Sequence, residues 1–148
     1  MMGNTTARLM LPLIEPGQAQ KELAHNEALV LLDMAVHALV EAIGLDTPPA
    51  APAEGQAWIT GAMPGGAWTG HALALAGWTE GGWRFVAARE GLAVWDRASA
   101  TAARFVGGSW RRAGVIAAPA GGTTVDAEAR ATLAALLVEL QAQGLVAG

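Results

Sequence analysis

The longest unbroken pattern of apolar positions lies between Gly17 and Gly44, a stretch with no other glycine and no proline. Leu29, Leu32, Val36, Leu39, Val40 and Ile43 recur mostly at three- and four-residue spacing, which places them on one side of a 3.6-period helix. The spacing predicts a long helix over 18–44, with Gly44 as its left-handed stop. Its front is polar: Gln18, Gln20, Lys21, Glu22, His25, Asn26 and Glu27 surround only Ala19, Leu23 and Ala24. A polar head and an apolar tail imply two different surroundings. Asp33, His37 and Glu41 follow one another at four-residue spacing and are expected on a shared, solvated face.

The pattern then changes. Pro48, Pro49 and Pro52 make 45–55 a stiff linker. From 56 to 116 short apolar runs alternate with Gly65-Gly66, Gly81-Gly82, Glu90-Gly91 and Gly107-Gly108. The runs predict strands at 57–60, 72–78, 83–87, 92–95, 103–106 and 109–112. Two hairpins stand out, Trp78 to Trp83 and Phe105 to Trp110, the second with a Gly-Gly turn suited to positive φ at both positions. After a flexible stretch at 117–123, Thr124 is the candidate cap of a helix over 124–144. Asp126 and Glu128 fall in its first turn, and Ala129, Leu133, Leu136, Leu137 and Leu140 form its apolar stripe. With residues 1–17 as an arm, broken by Pro12, the expected fold is α+β. A long N-terminal helix leads into one small Trp- and Gly-rich antiparallel sheet or barrel, and a short C-terminal helix follows.

Composition narrows the function. Hydrophobic residues are 53% of the 148 and charged residues 15%. So little charge covers a lone domain poorly and favours a homo-oligomer, trimer or ring. The net charge of −4 offers no basic footprint for nucleic acid. The absence of cysteine removes disulfides, thiol catalysis and cysteine-ligated metal. Leu9 to Ile14 is too short, and too broken by Pro12, for a secretory signal, and no apolar run is long enough to span a membrane.

Candidate chemistry is thin. His25, His37 and His71 share no metal-binding spacing. His25, Asn26 and Glu27 are consecutive, so on a helix they diverge by about 100° each and cannot meet at one atom. Neither Ser99 nor Ser109 sits in a nucleophile elbow. No catalytic residue, cofactor site or metal site is assigned, and a glycan-processing enzyme ranks last among the readings. The six tryptophans all fall in the glycine-rich block. Most must fill the core, while Trp68 and Trp78, with His71 beside them, are the candidates for stacking on a sugar.

One more observation gives a context. Thr5-Thr6-Ala7-Arg8-Leu9, Pro16 to Glu22, His25-Asn26-Glu27-Ala28-Leu29 and Leu32-Asp33 resemble the start of a bacterial family of unknown function. That family is found in prophages and gene transfer agents, often at the front of tail-fibre or spike-like proteins. The resemblance continues through 48–55 and the Trp-Gly segment. It implies a structural part of a phage-like particle, the base or adaptor of a head spike or tail fibre. Such a protein is made in the cytoplasm and released on the particle. Its partners would be a capsid, tail or fibre protein and host surface polysaccharide, with no membrane insertion. On that reading Arg8, Gln18, Gln20, Lys21, His25, Asn26 and Glu27 are expected to form an assembly interface. The alternative is a carbohydrate-binding module for capsule or lipopolysaccharide.

Overall fold

The computed structural model describes residues 5–15, 17, 21–123 and 125–147. The first helix, α1 (Lys21–Ala35), stops well short of Gly44. Beyond it the chain becomes extended, as β1 (Leu39–Val40) and β2 (Ile43–Leu45). Then come β3 (Ala57–Thr60), a single 3-10 turn (Gly66–Trp68), β4 (Leu75–Thr79), β5 (Gly82–Val86), β6 (Ala93–Asp96), β7 (Thr101–Val106), β8 (Ser109–Arg112) and α2 (Ala127–Ala142).

Two expectations are thereby overturned. The long helix over 18–44 is a 15-residue helix followed by two strands. The β-block is two four-stranded sheets, ordered β1-β6-β7-β8 and β2-β3-β4-β5, in place of one small sheet. β1 runs parallel to β6, and β2 runs parallel to β3. A stretch assigned to helix therefore supplies one strand to each sheet.

The cause of the early stop is tertiary. The Arg8 guanidinium donates to the main-chain oxygens of Asp33, Met34 and His37, the last at 2.7 Å. A cation on the terminal carbonyls is the favoured partner for a helix C-terminus. His37 then takes a left-handed φ of 47°, which ends the helical path. Past that point the sequence has a period of two: Ala38 and Val40 point into the core while Leu39 and Glu41 do not.

The hairpins are as the turn residues require. β4 and β5 pair with Trp78 opposite Trp83 and Thr79 opposite Gly82. β7 and β8 pair with Phe105 opposite Trp110, across Gly107 and Gly108 at φ 59° and 76°.

Two apolar clusters hold the domain. One lies between the sheets: Val40, Val94 and Ala103 from the first, Ala57, Ile59 and Leu75 from the second, with Met34 of α1 packed among them. Met34 can lie flat on β4 because Gly77 has no side chain; a Cβ there would come within 2.6 Å of its Cε. The other cluster covers the opposite face of β2-β3-β4-β5. It contains Trp58, Trp68 and Ala76, flanked by Trp78, Trp83 and Phe85. The indoles of Trp68 and Trp83 meet edge to face at 5.1 Å, as do Trp78 and Trp83. β3 is thus buried on both faces, which is unusual for a strand in a domain of this size.

Candidate functional site

The residues expected to form an assembly interface are, where described, largely occupied within the chain. The N-terminal arm folds into a tight loop, with Thr5 bridged to Pro12 and the Thr6 amide donating to the Leu11 oxygen at 2.9 Å. This loop sits on α1 through Asp33. The Asp33 carboxylate, 4% exposed, accepts the Thr6 hydroxyl at 2.8 Å, the Arg8 amide at 3.0 Å and the Leu9 amide. Arg8 then reaches over the helix end as described above. One turn of chain both supplies hydrogen bonds to a buried carboxylate and caps a helix.

A second clasp lies further along. The Asn26 amide group donates to the Ile14 oxygen at 3.0 Å and accepts the Ile14 amide at 2.9 Å. A side-chain amide here stands in for one rung of a sheet. Glu27 pairs with Arg84 of β5 at 2.8 Å and ties α1 to the sheet. Arg8, Asn26 and Glu27 are thus intrachain clasps. Lys21 and His25 are exposed on the first turns of α1. Gln18 and Gln20 lie outside the described residues, as does Thr124. The expected solvated face of Asp33, His37 and Glu41 does not exist, because Asp33 points inward. The partners that turn it inward, Thr6 and Arg8, lie 27 and 25 residues upstream of it.

Between the arm, α1 and the β4-β5 hairpin lies a cavity of ≈ 160 Å³. Thr6, Glu27, Asp33, Glu54, Trp78 and Arg84 are among its lining residues. Its polar groups are mostly spent on one another: Asp33 has three donors and Arg84 holds Glu27. Among the described residues no cluster of three His, Asp or Glu side chains is placed to hold a metal ion.

The expected sugar-stacking residues separate. Trp68 is 0% exposed, so neither face of its indole can meet a ligand. Trp78 is half-buried against Trp83. His71 is exposed and stacks on Phe85 at 3.7 Å, with the two rings nearly parallel. The most open tryptophan is Trp95, 38% exposed on the outer face of β6. Its alternation with the inward Val94 and Asp96 fixes that side.

Sequence reading also missed a polar cluster at the β6-β7 turn. Asp96 is fully buried and accepts the Ser99 hydroxyl and the Arg112 Nε, both at 2.8 Å. Ser99 in turn lies 2.8 Å from the Thr101 hydroxyl. The network locks the β6-β7 turn to β8.

The last feature is α2. Asp126 caps it, its Oδ1 accepting the Ala129 amide at 2.9 Å. No residue of the helix is buried. Leu133 and Leu136 are 47% and 53% exposed, and Val138 is exposed too. The helix is joined to the domain at its base. The Gly144 oxygen accepts the Ala102 amide at 3.1 Å, the Ala147 amide donates to the Gly114 oxygen at 3.0 Å, and Val115 bridges Ala147. Residues 113–143 therefore make an arm pinned at both ends of its base. Arg130 folds the arm on itself by donating to the Gly121 oxygen. None of the described helices is long and apolar enough to cross a membrane.

The sequence matches a family without an assigned activity. No curated protein and no solved structure matches the chain. The family described as "Protein of unknown function (DUF2793)" matches residues 25–111, from the middle of α1 to the end of β8, and leaves the Thr5–Leu9 clasp and α2 outside. That is more than half of the sequence, and the chain belongs to the DUF2793 family.

Proposed function

We propose that this protein is a non-enzymatic structural component of a phage-like particle, the base or adaptor of a head spike or tail fibre. The observation that carries the assembly role is α2. A helix apolar on nearly every side belongs in a protein interior or an interface, and here no residue of it is buried in its own domain. Burying exposed leucines contributes about 25 cal/mol per Å², so a partner surface that covers Leu133, Leu136 and Val138 gains stability from this arm. The particle setting rests on the resemblance carried by Thr5 to Leu9 and Pro16 to Asp33. The rigid, doubly covered second sheet suits a load-bearing mount. Support of host attachment follows from that position.

The test is to locate the protein on purified particles from the producing culture by antibody-gold electron microscopy. Label at capsid vertices supports a head-spike base. Label at the tail tip moves the protein to the fibre apparatus. Clear expression with unlabelled particles sinks the proposal.

A further inference from the structure

If α2 is a docking arm, its receiving surface should carry matching chemistry, and one surface of this chain does. The outer face of β1-β6-β7-β8 presents Ala93 and Trp95 of β6 and Ala102 of β7 around a shallow trough of ≈ 280 Å³, closed on one side by His37. Beside it, Arg104 of β7 and Arg111 of β8 stand directly opposite each other in register, both exposed. Like charges at directly opposed positions on a sheet are destabilising. Among the described residues neither guanidinium has a hydrogen bond or an ion pair, whereas Arg84, Arg97 and Arg112 each hold an acid. An apolar trough next to an unrelieved arginine pair calls for an acidic, apolar occupant.

α2 has that character. Asp126, Glu128 and Glu139 outnumber Arg130. Glu128 and Glu139 are separated by three helical turns, so they lie on the same side, roughly 16 Å apart. That side borders the stripe of Ala129, Leu133, Leu136 and Leu140. The helix thus has a leucine face with an acid edge. The sheet has an apolar trough with a basic edge.

The helix does not occupy its own trough. Its base is fixed where Gly144 lies against the Trp95 ring, so close that a Cβ would sit 2.3 Å from Cη2, and no residue of the helix above it is buried. An acidic helix is a poor match for an anionic membrane surface, which attracts lysine and arginine.

We infer that the occupant is a second copy of this chain: α2 of one subunit lies across the outer face of β1-β6-β7-β8 of its neighbour, its acid edge on Arg104 and Arg111. The contact joins two different patches, so it gives a reciprocal pair or a ring where the rotation closes and an open filament where it does not. This rests on the assembly role proposed for α2 and names its partner.

The experiment is sedimentation equilibrium of the full chain in four forms: wild type, Arg104→Glu/Arg111→Glu, Glu128→Arg/Glu139→Arg, and the two pairs combined. The expected result is a self-associating wild type and a dissociation constant raised about tenfold or more in each charge-reversed form. The combined form should recover most of the loss. A fifth form, Leu133→Glu/Leu136→Glu, separates the two levels of the argument. If it abolishes association but the arginine reversals do nothing, α2 still docks and the proposed receiving face is wrong. The rival face is then the exposed side formed by Leu32 of α1 and Val36 just past its end. If the wild type is a monomer throughout, or joins vesicles instead, the second copy is not the occupant. Circular dichroism on each form excludes a trivial loss of folding.

Discussion

α1 and α2 are nearly the same length, 15 and 16 residues, and each carries a readable apolar stripe. Their fates differ. α1 is held by polar contacts and turns much of its predicted stripe outward: Leu32 and Val36 are exposed, while Val30, Asp33 and Met34 face the domain. α2 has a more continuous apolar surface, and none of its residues is buried in its own domain. A stripe shows that a helix wants an apolar neighbour. It does not show which side wins when a buried acid with three donors competes for the inward position. In α1 the clasp residues set the rotation, and the leucines accept exposure.

The sharpest way to break this comparison is Asp33→Ala. It removes the acceptor of Thr6, Arg8 and Leu9 at once and leaves two amides and a hydroxyl without their partner. Hydrogen bonds to a buried charge are worth about 1.5–3 kcal/mol each in isolation and are not additive. The expected loss is about 3 kcal/mol, or roughly 10 °C in Tm, read by thermal and urea unfolding. A loss below about 1 kcal/mol would mean that the arm is not what holds α1 in place.

Next in size is Gly144→Ala, at the base of the other helix. Gly144 has φ of +64°, and an added Cβ would collide with the Trp95 ring and approach the Ala100 oxygen at 3.2 Å. Strain of about 2 kcal/mol is expected there. It should loosen the anchor while the β-domain stays folded. Hydrogen exchange would show faster exchange at the Ala102 and Ala147 amides, whose acceptors belong to this anchor, and unchanged exchange at Ile59 and Leu75 of the core. Uniform acceleration across both sites would instead make the arm base part of the global core.

Individual strands and both hairpins were legible, while the long helix and the single sheet were not what folds. Ala57–Thr60 and Ser109–Arg112 match the expected strands because glycine turns and β-branched or aromatic residues bound them. Both hairpins follow from their two-residue turns. The end of α1 was not legible, because its cap is Arg8, more than 20 residues upstream and visible only once the arm has folded back. Without that cap, Val36 to Ile43 reads as more helix, and the two short strands vanish into it. Burial among the tryptophans was similarly hidden. Trp68 and Trp95 both sit close to glycines, yet Trp68 is carried onto the covered face of β2-β3-β4-β5 by a 3-10 turn, while Trp95 faces out because Asp96 must face in. The leucine stripe of α2 was plain in the sequence, and its lack of a home in the domain was not.

The smallest expected effect, that of Leu136→Ala, is the most telling about the two helices when it is set beside Met34→Ala. Met34→Ala and Leu136→Ala are similar truncations at helical positions. Met34 is buried between the sheets against Gly77, so its loss opens a cavity and should cost about 2–4 kcal/mol. Leu136 is half-exposed and supports nothing in its own domain, and alanine is the better helix former. In the dissociated chain Leu136→Ala should shift unfolding by no more than about 0.5 kcal/mol. Unfolding of both variants should be followed at low and high protein concentration. A penalty for Leu136→Ala that grows with concentration places its partner on another molecule. A penalty that is large and independent of concentration places that partner within the same chain, and α2 would then belong with α1 as a helix its own domain has already covered.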